Sequence, residues 1–339
     1  MAEPRSTLRL LWQNKYLCMV VAVSTLVIVG TTLPVSGPLG AQAYPDRPIK
    51  LVVPFIAGSP VDALARVLVQ HISPRLGQPI IIENQSSAGD TIGSRAVAGA
   101  AVDGHTLLFA ISSHVYGLYP NPGFHPIKSF APVAAVAQWS HVLVVRPDLA
   151  AKSVHELVAY AKDNPGTITF GYGINTPPQI LGEMLKTLTG ADIRSIPYRG
   201  GAQAITDMLG GRIDVNFGAT ATLLPLIRDG KLRAIAFTGA TRSGDLPDIP
   251  TITEAGLPEL AFNPDAWAVV LAPAGTSPAI IARLNAAIND SLVSTELKAS
   301  FAKLGYEPSM MFPQALADFL EAEMRRWPPI VKSVGLRAE

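Results

Sequence analysis

The residues with most chemical potential lie in short corners rich in Gly, Ser, Thr and Asn, each between an apolar run and a helical pattern. In GSPVD, 58–62, Ser59 stands at an N-cap position, Pro60 at the first helical position, and Asp62 three residues after the cap, an arrangement suited to reciprocal capping. Capping is the preferred role of Asp62 over ligand contact, because a carboxylate repels an anion; a ligand amine would reverse that preference. The backbone N–H groups around Ala57, Gly58 and Ser59 are expected to point out of a helix N-terminus, where the dipole favours small anions such as carboxylates. AISSHVYG, 110–117, sets Ser112, Ser113 and His114 after the run TLLFA. FGYGINTPPQILGE, 170–183, sets Gly173, Asn175 and Thr176 before one helix, and PYRGGAQAI, 197–205, sets Tyr198, Gly200, Gly201 and Ala202 before another. Such residues are ordinary turn formers, so the signal is their recurrence at strand ends.

Bond-breaking chemistry has little to work with. Gly-x-Ser-x-Gly and His-Glu-x-x-His are absent, and His71, His105, His114, His125, His141 and His155 show no pairing at metal-ligand spacing. A Ser112 or Ser113 nucleophile served by the adjacent His114 is disfavoured, because neighbouring side chains at a strand end diverge. Neither phosphate-binding glycine motif is present, which leaves a nucleotide cofactor without support. No catalytic residue, metal or cofactor is expected.

The elements that must hold these corners alternate. IKLVVPF, PIIIEN, TLLFAI, PVAAVAQ and HVLVV read as strands separated by helical patterns, and TITFGYG, IRSIPYRG, DVNFG and LRAIAFTG repeat that order. Such alternation indicates α/β layers with largely parallel sheets. The runs HVLVV, 141–145, and WAVVLAP, 267–273, bracket one complete α/β set. The expected plan is a first domain of 44–143 plus 267–339, an inserted second domain of 144–266, and two crossing strands as a hinge. The C-terminal segments SPAIIARLNAAINDSLVS, TELKASFAKLG and FPQALADFLEAEMRRW read as amphipathic helices, with Lys298, Glu321, Glu323, Arg325 and Arg326 on solvated faces.

The chain has 339 residues, 48% of them hydrophobic, and 27 basic against 26 acidic residues. That balance gives no concentrated basic face for nucleic acid. Arg5, Arg9 and Lys15 precede the apolar run LCMVVAVSTLVIVG and the small-residue end AQA, 41–43. This is the pattern of a secretory signal peptide, 1–43, with cleavage expected after Ala43; the competing reading is an uncleaved anchor. Cleavage would remove Cys18, the single cysteine, and leave a thiol-free exported protein.

Ten segments resemble one family. YPDRPIKLVVPFIAGSPVDALAR, LGQPIIIEN with AGDTIG, DGHTLLFA, FAPVAAVA, LVVRPDLAAKSVHELVAYAKDNPG, IPYRGGAQAITDMLGGRIDV, GKLRAIAFTGATRS, LPDIPTITEAGLP and LAPAGTSPAIIARLN follow, in order, the pattern of the substrate-binding proteins of tripartite tricarboxylate transporters, the Bug-type receptors. The resemblance implies a type II periplasmic-binding-protein (Venus-flytrap) fold: two α/β domains joined by a two-strand hinge and closing on a small carboxylate-bearing organic acid. It also implies delivery to an integral-membrane permease. Carried onto this sequence, the ligand-binding candidates are Gly58, Ser59, Ser112, Ser113 and His114 from the first domain. From the second come Gly173, Asn175, Thr176, Tyr198, Gly200, Gly201, Ala202 and Gly218. Trp267 is either a cleft wall or a core aromatic, and Tyr172 is either near the ligand or interior.

Three positions depart from the family's pattern. Ser59 and Pro60 stand where glycines are usual, the 170–183 corner is one residue short with Gly, Tyr and Pro in place of a Ser-rich part, and Gly218 and Ala219 replace Asp and Asn. Loss of that acid disfavours a ligand ammonium. The expected function is reversible capture of an organic acid by a monomer. Docking on a membrane sensor for signalling is the alternative, and an exported hydrolase is the least favoured reading.

Overall fold

The computed structural model describes residues 44–85, 91–116, 122–261 and 266–336. The readings of the signal peptide and of Cys18 fall on 1–43, outside the described residues.

Strands and helices form where the apolar periods place them. The first part contains β1 (Ile49–Val53), α1 (Pro60–Leu76), β2 (Ile80–Asn84), α2 (Thr91–Ala98), β3 (Thr106–Ile111) and β4 (Phe130–Trp139). Next come β5 (His141–Val145), α3 (Val154–Asp163), β6 (Ile168–Gly173), α4 (Pro177–Thr189), β7 (Ile193–Tyr198), α5 (Gly201–Leu209), β8 (Val215–Ala219), α6 (Thr220–Arg228) and β9 (Arg233–Phe237). The chain ends with β10 (Ala266–Pro273), α7 (Pro278–Leu292), α8 (Thr295–Leu304), the short β11 (Glu307–Pro308) and α9 (Pro313–Ser333). β5 and β10 are buried at every residue, as strands covered on both faces must be.

The strands make two sheets in the orders β11-β4-β10-β3-β1-β2 and β7-β6-β8-β5-β9. Apart from β11, the two share one plan, with β1, β2, β3, β10 and β4 matching β6, β7, β8, β5 and β9. In each, three strands are parallel, β1 with β2 and β3, and β6 with β7 and β8. The fourth position is filled by an antiparallel strand, β10 against β3 and β4, and β5 against β8 and β9. The sheets are therefore mixed where the alternation predicted largely parallel ones. A strand entering from the other sheet starts at the shared boundary and has to run away from it.

That boundary is fixed by register. Trp139 at the end of β4 pairs with Ala266, and Ile111 at the end of β3 pairs near it with Ala268. Two residues past Trp139, His141 pairs with Ala219 at the end of β8, and Val142 pairs with Phe237 at the end of β9. The carboxyl ends of both parallel triples thus point toward Ser140 and toward each other. The Ser140 carbonyl accepts hydrogen bonds from the Thr220 N–H (3.2 Å) and hydroxyl (3.1 Å). The His141 N–H donates to the buried Thr238 Oγ1 at 2.7 Å. β5 pairs along its whole length in the second sheet, so the crossing falls at Ser140 rather than inside 141–145.

The C-terminal helix carries a surprise. Glu323, expected on a solvated face, is only 3% exposed. Its carboxylate accepts the indole N–H groups of Trp267 (2.9 Å) and Trp327 (2.8 Å), and the Arg326 guanidinium donates to its other oxygen at 3.0 Å. Because Trp267 is the second residue of the returning strand β10, this carboxylate ties that strand to α9.

Candidate ligand-binding site

The β1–α1 corner caps itself. Ser59 Oγ accepts the Asp62 N–H at 3.2 Å, as the N-cap reading requires. The Asp62 carboxylate turns back one residue further than a reciprocal box would, accepting the Gly58 N–H at 2.8 Å, while the Ser59 N–H donates to the Ile56 carbonyl. It also accepts from Arg66 Nε (2.8 Å) and from Asn84 Nδ2 (2.9 Å) at the end of β2. Burial pushes the Asp62 carboxyl up, but the bonds from Arg66, Gly58 and Asn84 outweigh it and hold the group below the usual range. The carboxylate is thus charged, buried and already matched by Arg66, so it has little to offer a ligand ammonium. Gly58, at φ 79°, holds a left-handed turn, which glycine adopts without strain. With its amide committed and Pro60 lacking one, this helix start is not the bare anion cradle that the sequence suggested.

The β3 corner is interior. Ser112, Ser113 and His114 are all buried, and Ser112 Oγ accepts the Tyr116 hydroxyl at 2.9 Å. His114 lies parallel to Phe124 at 5.6 Å and edge-on to Phe130 at 5.1 Å, with Nε2 3.0 Å from the Pro126 carbonyl. Burial drives its pKa down to about 4, against the upward pull of that carbonyl. A base whose folded pKa lies below its unfolded value takes up its proton first in the unfolded state, so stability is full above pH 6.5 and falls as the pH drops toward 4. Across that window His114→Gln is expected to flatten the wild-type loss, on the order of 3 kcal/mol, as read by urea unfolding at a series of pH values. An unchanged slope in the variant would show that other groups set the acid sensitivity.

The second sheet brings two corners into contact. A Cβ on Gly173 would lie 3.2 Å from the Gly201 nitrogen and 3.2 Å from Thr176 Cγ2, so glycine there permits the approach of the β6 and β7 corners. Asn175, at φ 60°, donates its N–H to Gln179 Oε1 at 2.7 Å, and the Thr176 hydroxyl donates to the Gly173 carbonyl at 2.7 Å. Pro177 and Pro178 have no N–H, which leaves the start of α4 poor in donors. The start of α5 differs. Gly200 is an extended N-cap, at φ −169°, without a side-chain capping bond, and a Cβ on Gly200 or Gly201 would meet nothing within 4 Å. Gly201 and Ala202 form its first turn, whose N–H groups have no intrahelical acceptor. Tyr198 flanks them, with its hydroxyl donating to Asp207, which also pairs with Arg212.

Three residues stand apart from the corners. A Cβ on Gly218 would come within 2.4 Å of Leu223, so Gly218 allows α6 to pack closely on β8. Trp267 is buried against Phe319 and bonded to Glu323, the position of a core aromatic. Tyr172 stacks on Phe170 at 5.5 Å, in the interior. A cavity of about 640 Å³ lies at the same inter-sheet boundary but toward the β9 and β11 edges, lined by Trp139, Ser140, Phe237, Arg242 and Glu307 among others; none of the candidate residues lines it. Sequence reasoning missed Arg66 and Asn84, although Arg66 four residues after Asp62 on one helix face was a readable pairing.

Two mixed sheets of one plan, exchanging a strand each and directing their parallel carboxyl ends at a common boundary, define the two-domain α/β fold of periplasmic binding proteins. Residues 64–336 match the model of the tripartite tricarboxylate transporter family receptor, and the chain belongs to that family. It is 36% identical over 320 residues to protein BugT of Bordetella pertussis (strain Tohama I), covering 92% of this chain and 98% of the relative. The solved periplasmic binding protein BugD superposes with a TM-score of 0.78 at 32% identity, covering 87% of this chain and 99% of that one. An R. palustris protein solved with adipate gives a TM-score of 0.78 at 32% identity, covering 86% and 98% of the two chains.

Proposed function

We propose that this protein is a periplasmic receptor that captures a small carboxylate-bearing organic acid between its two domains, 44–140 with 266–339 and 141–265, and hands it as a monomer to the membrane subunits of a tripartite tricarboxylate-type transporter. The observation that carries the reading is the meeting of both sets of strand carboxyl ends across Ser140, the place where open α/β sheets bind ligands. Within it, the uncapped start of α5 at Gly200, Gly201 and Ala202 offers backbone N–H groups and the positive end of a helix dipole to a carboxylate. Family membership and the adipate bound by a relative support the ligand class. The chain acts by binding, since a ligand that touches both domains favours the closed form by its differential affinity for it. Export by cleavage after Ala43 supplies the compartment.

A thermal-shift panel of carboxylates, amino acids, sugars and divalent metals tests this. A ligand at about 100 times its dissociation constant adds roughly 2.7 kcal/mol of stability. Shifts confined to carboxylates are the expected result; a shift with sugars or metals alone refutes it.

A further inference from the structure

Large apolar side chains left in solvent mean most when they gather at a site. Ile56 is 63% exposed and Ile174 50% exposed. Ile56 follows β1 and Ile174 follows β6, the middle strands of the two parallel triples, so they occupy matching places in the two sheets. Both places lie at the carboxyl ends that point toward Ser140. Ile92, 57% exposed, lies on α2. Its neighbour Gly93 sits so close to the end of β1 that a Cβ there would be 3.1 Å from Pro54 Cβ.

Three of the polar side chains at these corners are already held by neighbouring residues. Asp62 is held by Gly58, Arg66 and Asn84, the Thr176 hydroxyl by Gly173, and the Tyr198 hydroxyl by Asp207. A ligand hydroxyl would exchange water for few partners among them, a costly trade. An apolar ligand surface would instead cover isoleucines that now face water.

We infer that the cleft selects organic acids with an apolar body, an aliphatic chain or ring, whose carboxylate meets the Gly200–Gly201–Ala202 end of α5 while the body lies against Ile174 and Ile56. This rests on the receptor reading above and assigns those two isoleucines the discrimination between apolar and hydroxylated acids.

Calorimetric titration of the purified protein with adipate, hexanoate and benzoate, and separately with citrate and tartrate, tests the assignment in the wild type, Ile174→Ser and Ile56→Ser. The strongest binder of the first set is expected to exceed both hydroxylated acids by about tenfold or more, and each serine to remove about fivefold or more of its affinity. Binding of citrate or tartrate should be unchanged by either serine. Both side chains are exposed, so thermal melts of the variants should match the wild type. Citrate or tartrate binding as tightly as the best apolar acid overturns the inference, as do serine variants that weaken both sets equally or neither. A carboxylate panel that yields no binder at all overturns the receptor reading itself, and the inference with it, whereas binders found only among hydroxylated acids overturn the inference alone, so the two failures are distinguishable.

Discussion

Gly200→Val should leave the melting temperature of the protein unchanged and weaken carboxylate binding by about 5- to 150-fold, the equivalent of roughly 1–3 kcal/mol of steric intrusion. The two halves of this result have separate causes. Gly200 is extended, at φ −169°, a conformation valine adopts readily, and a Cβ there meets nothing within 4 Å, so the fold has no reason to resist. That same open space lies at the uncapped start of α5, the proposed seat of the ligand carboxylate, and two methyl groups would occupy it. Calorimetric titration of the variant alongside its thermal melt checks both halves. Unchanged affinity would move the carboxylate away from α5, and a lowered melting temperature would show that Gly200 is structural.

Glu323→Ala has the largest expected effect on stability, a loss of about 3–5 kcal/mol. The substitution leaves the Trp267 and Trp327 indole N–H groups buried without this acceptor and removes the carboxylate paired with Arg326. A buried donor that loses its acceptor bears its full desolvation penalty. Glu323→Gln keeps an oxygen for the indoles and loses the charge pairing with Arg326, so it should fall between alanine and wild type. The midpoint of urea unfolding measures all three. Because Trp267 is the second residue of the strand that re-enters the first sheet, the alanine variant should also loosen that strand, read as faster amide exchange across 267–271. A loss below about 1 kcal/mol would mean that water replaces the carboxylate, and the clamp would carry no weight.

Much of the fold was legible because it rests on local periods. Strands such as IKLVV and TLLFAI and helices such as PAIIARLNAAINDSL declare themselves by burial pattern and length. The strand exchange was only partly legible. After its first residue, His141, HVLVV is apolar, as AWAVVLAP is throughout, and a strand buried on both faces reads the same whether its neighbours run parallel or antiparallel. Only the chain's path across Ser140 decides the direction. Glu323 is a different case, because Leu316, Leu320, Trp327 and Val331 are buried at helical spacing and Glu323 falls on their stripe. The signal was present, but charge outweighed position in reading it.

At the corners, sequence reveals residue types but not whether their donors are spent. Ser59 at the cap and Pro60 at the first helical position were readable, yet the capture of the Gly58 amide by Asp62 depends on a left-handed turn and on Asn84 from another strand. Likewise, His114 packs against Phe124 and Phe130, and Ser112 is held by the Tyr116 hydroxyl, contacts made by residues well along the chain or within one turn that residue types alone do not reveal. Among the described corners, the α5 start has no side-chain capping bond, and a Cβ on Gly200 or Gly201 would meet nothing within 4 Å.

The central claim is capture between two domains, and small-angle X-ray scattering tests it most directly. The protein should be measured alone and saturated with the carboxylate that most raises its melting temperature. A smaller radius of gyration and shorter maximum dimension in the saturated sample are predicted, because only a ligand that contacts both domains can drive them together. Saturation with no contraction would contradict the claim and place the ligand on one domain alone.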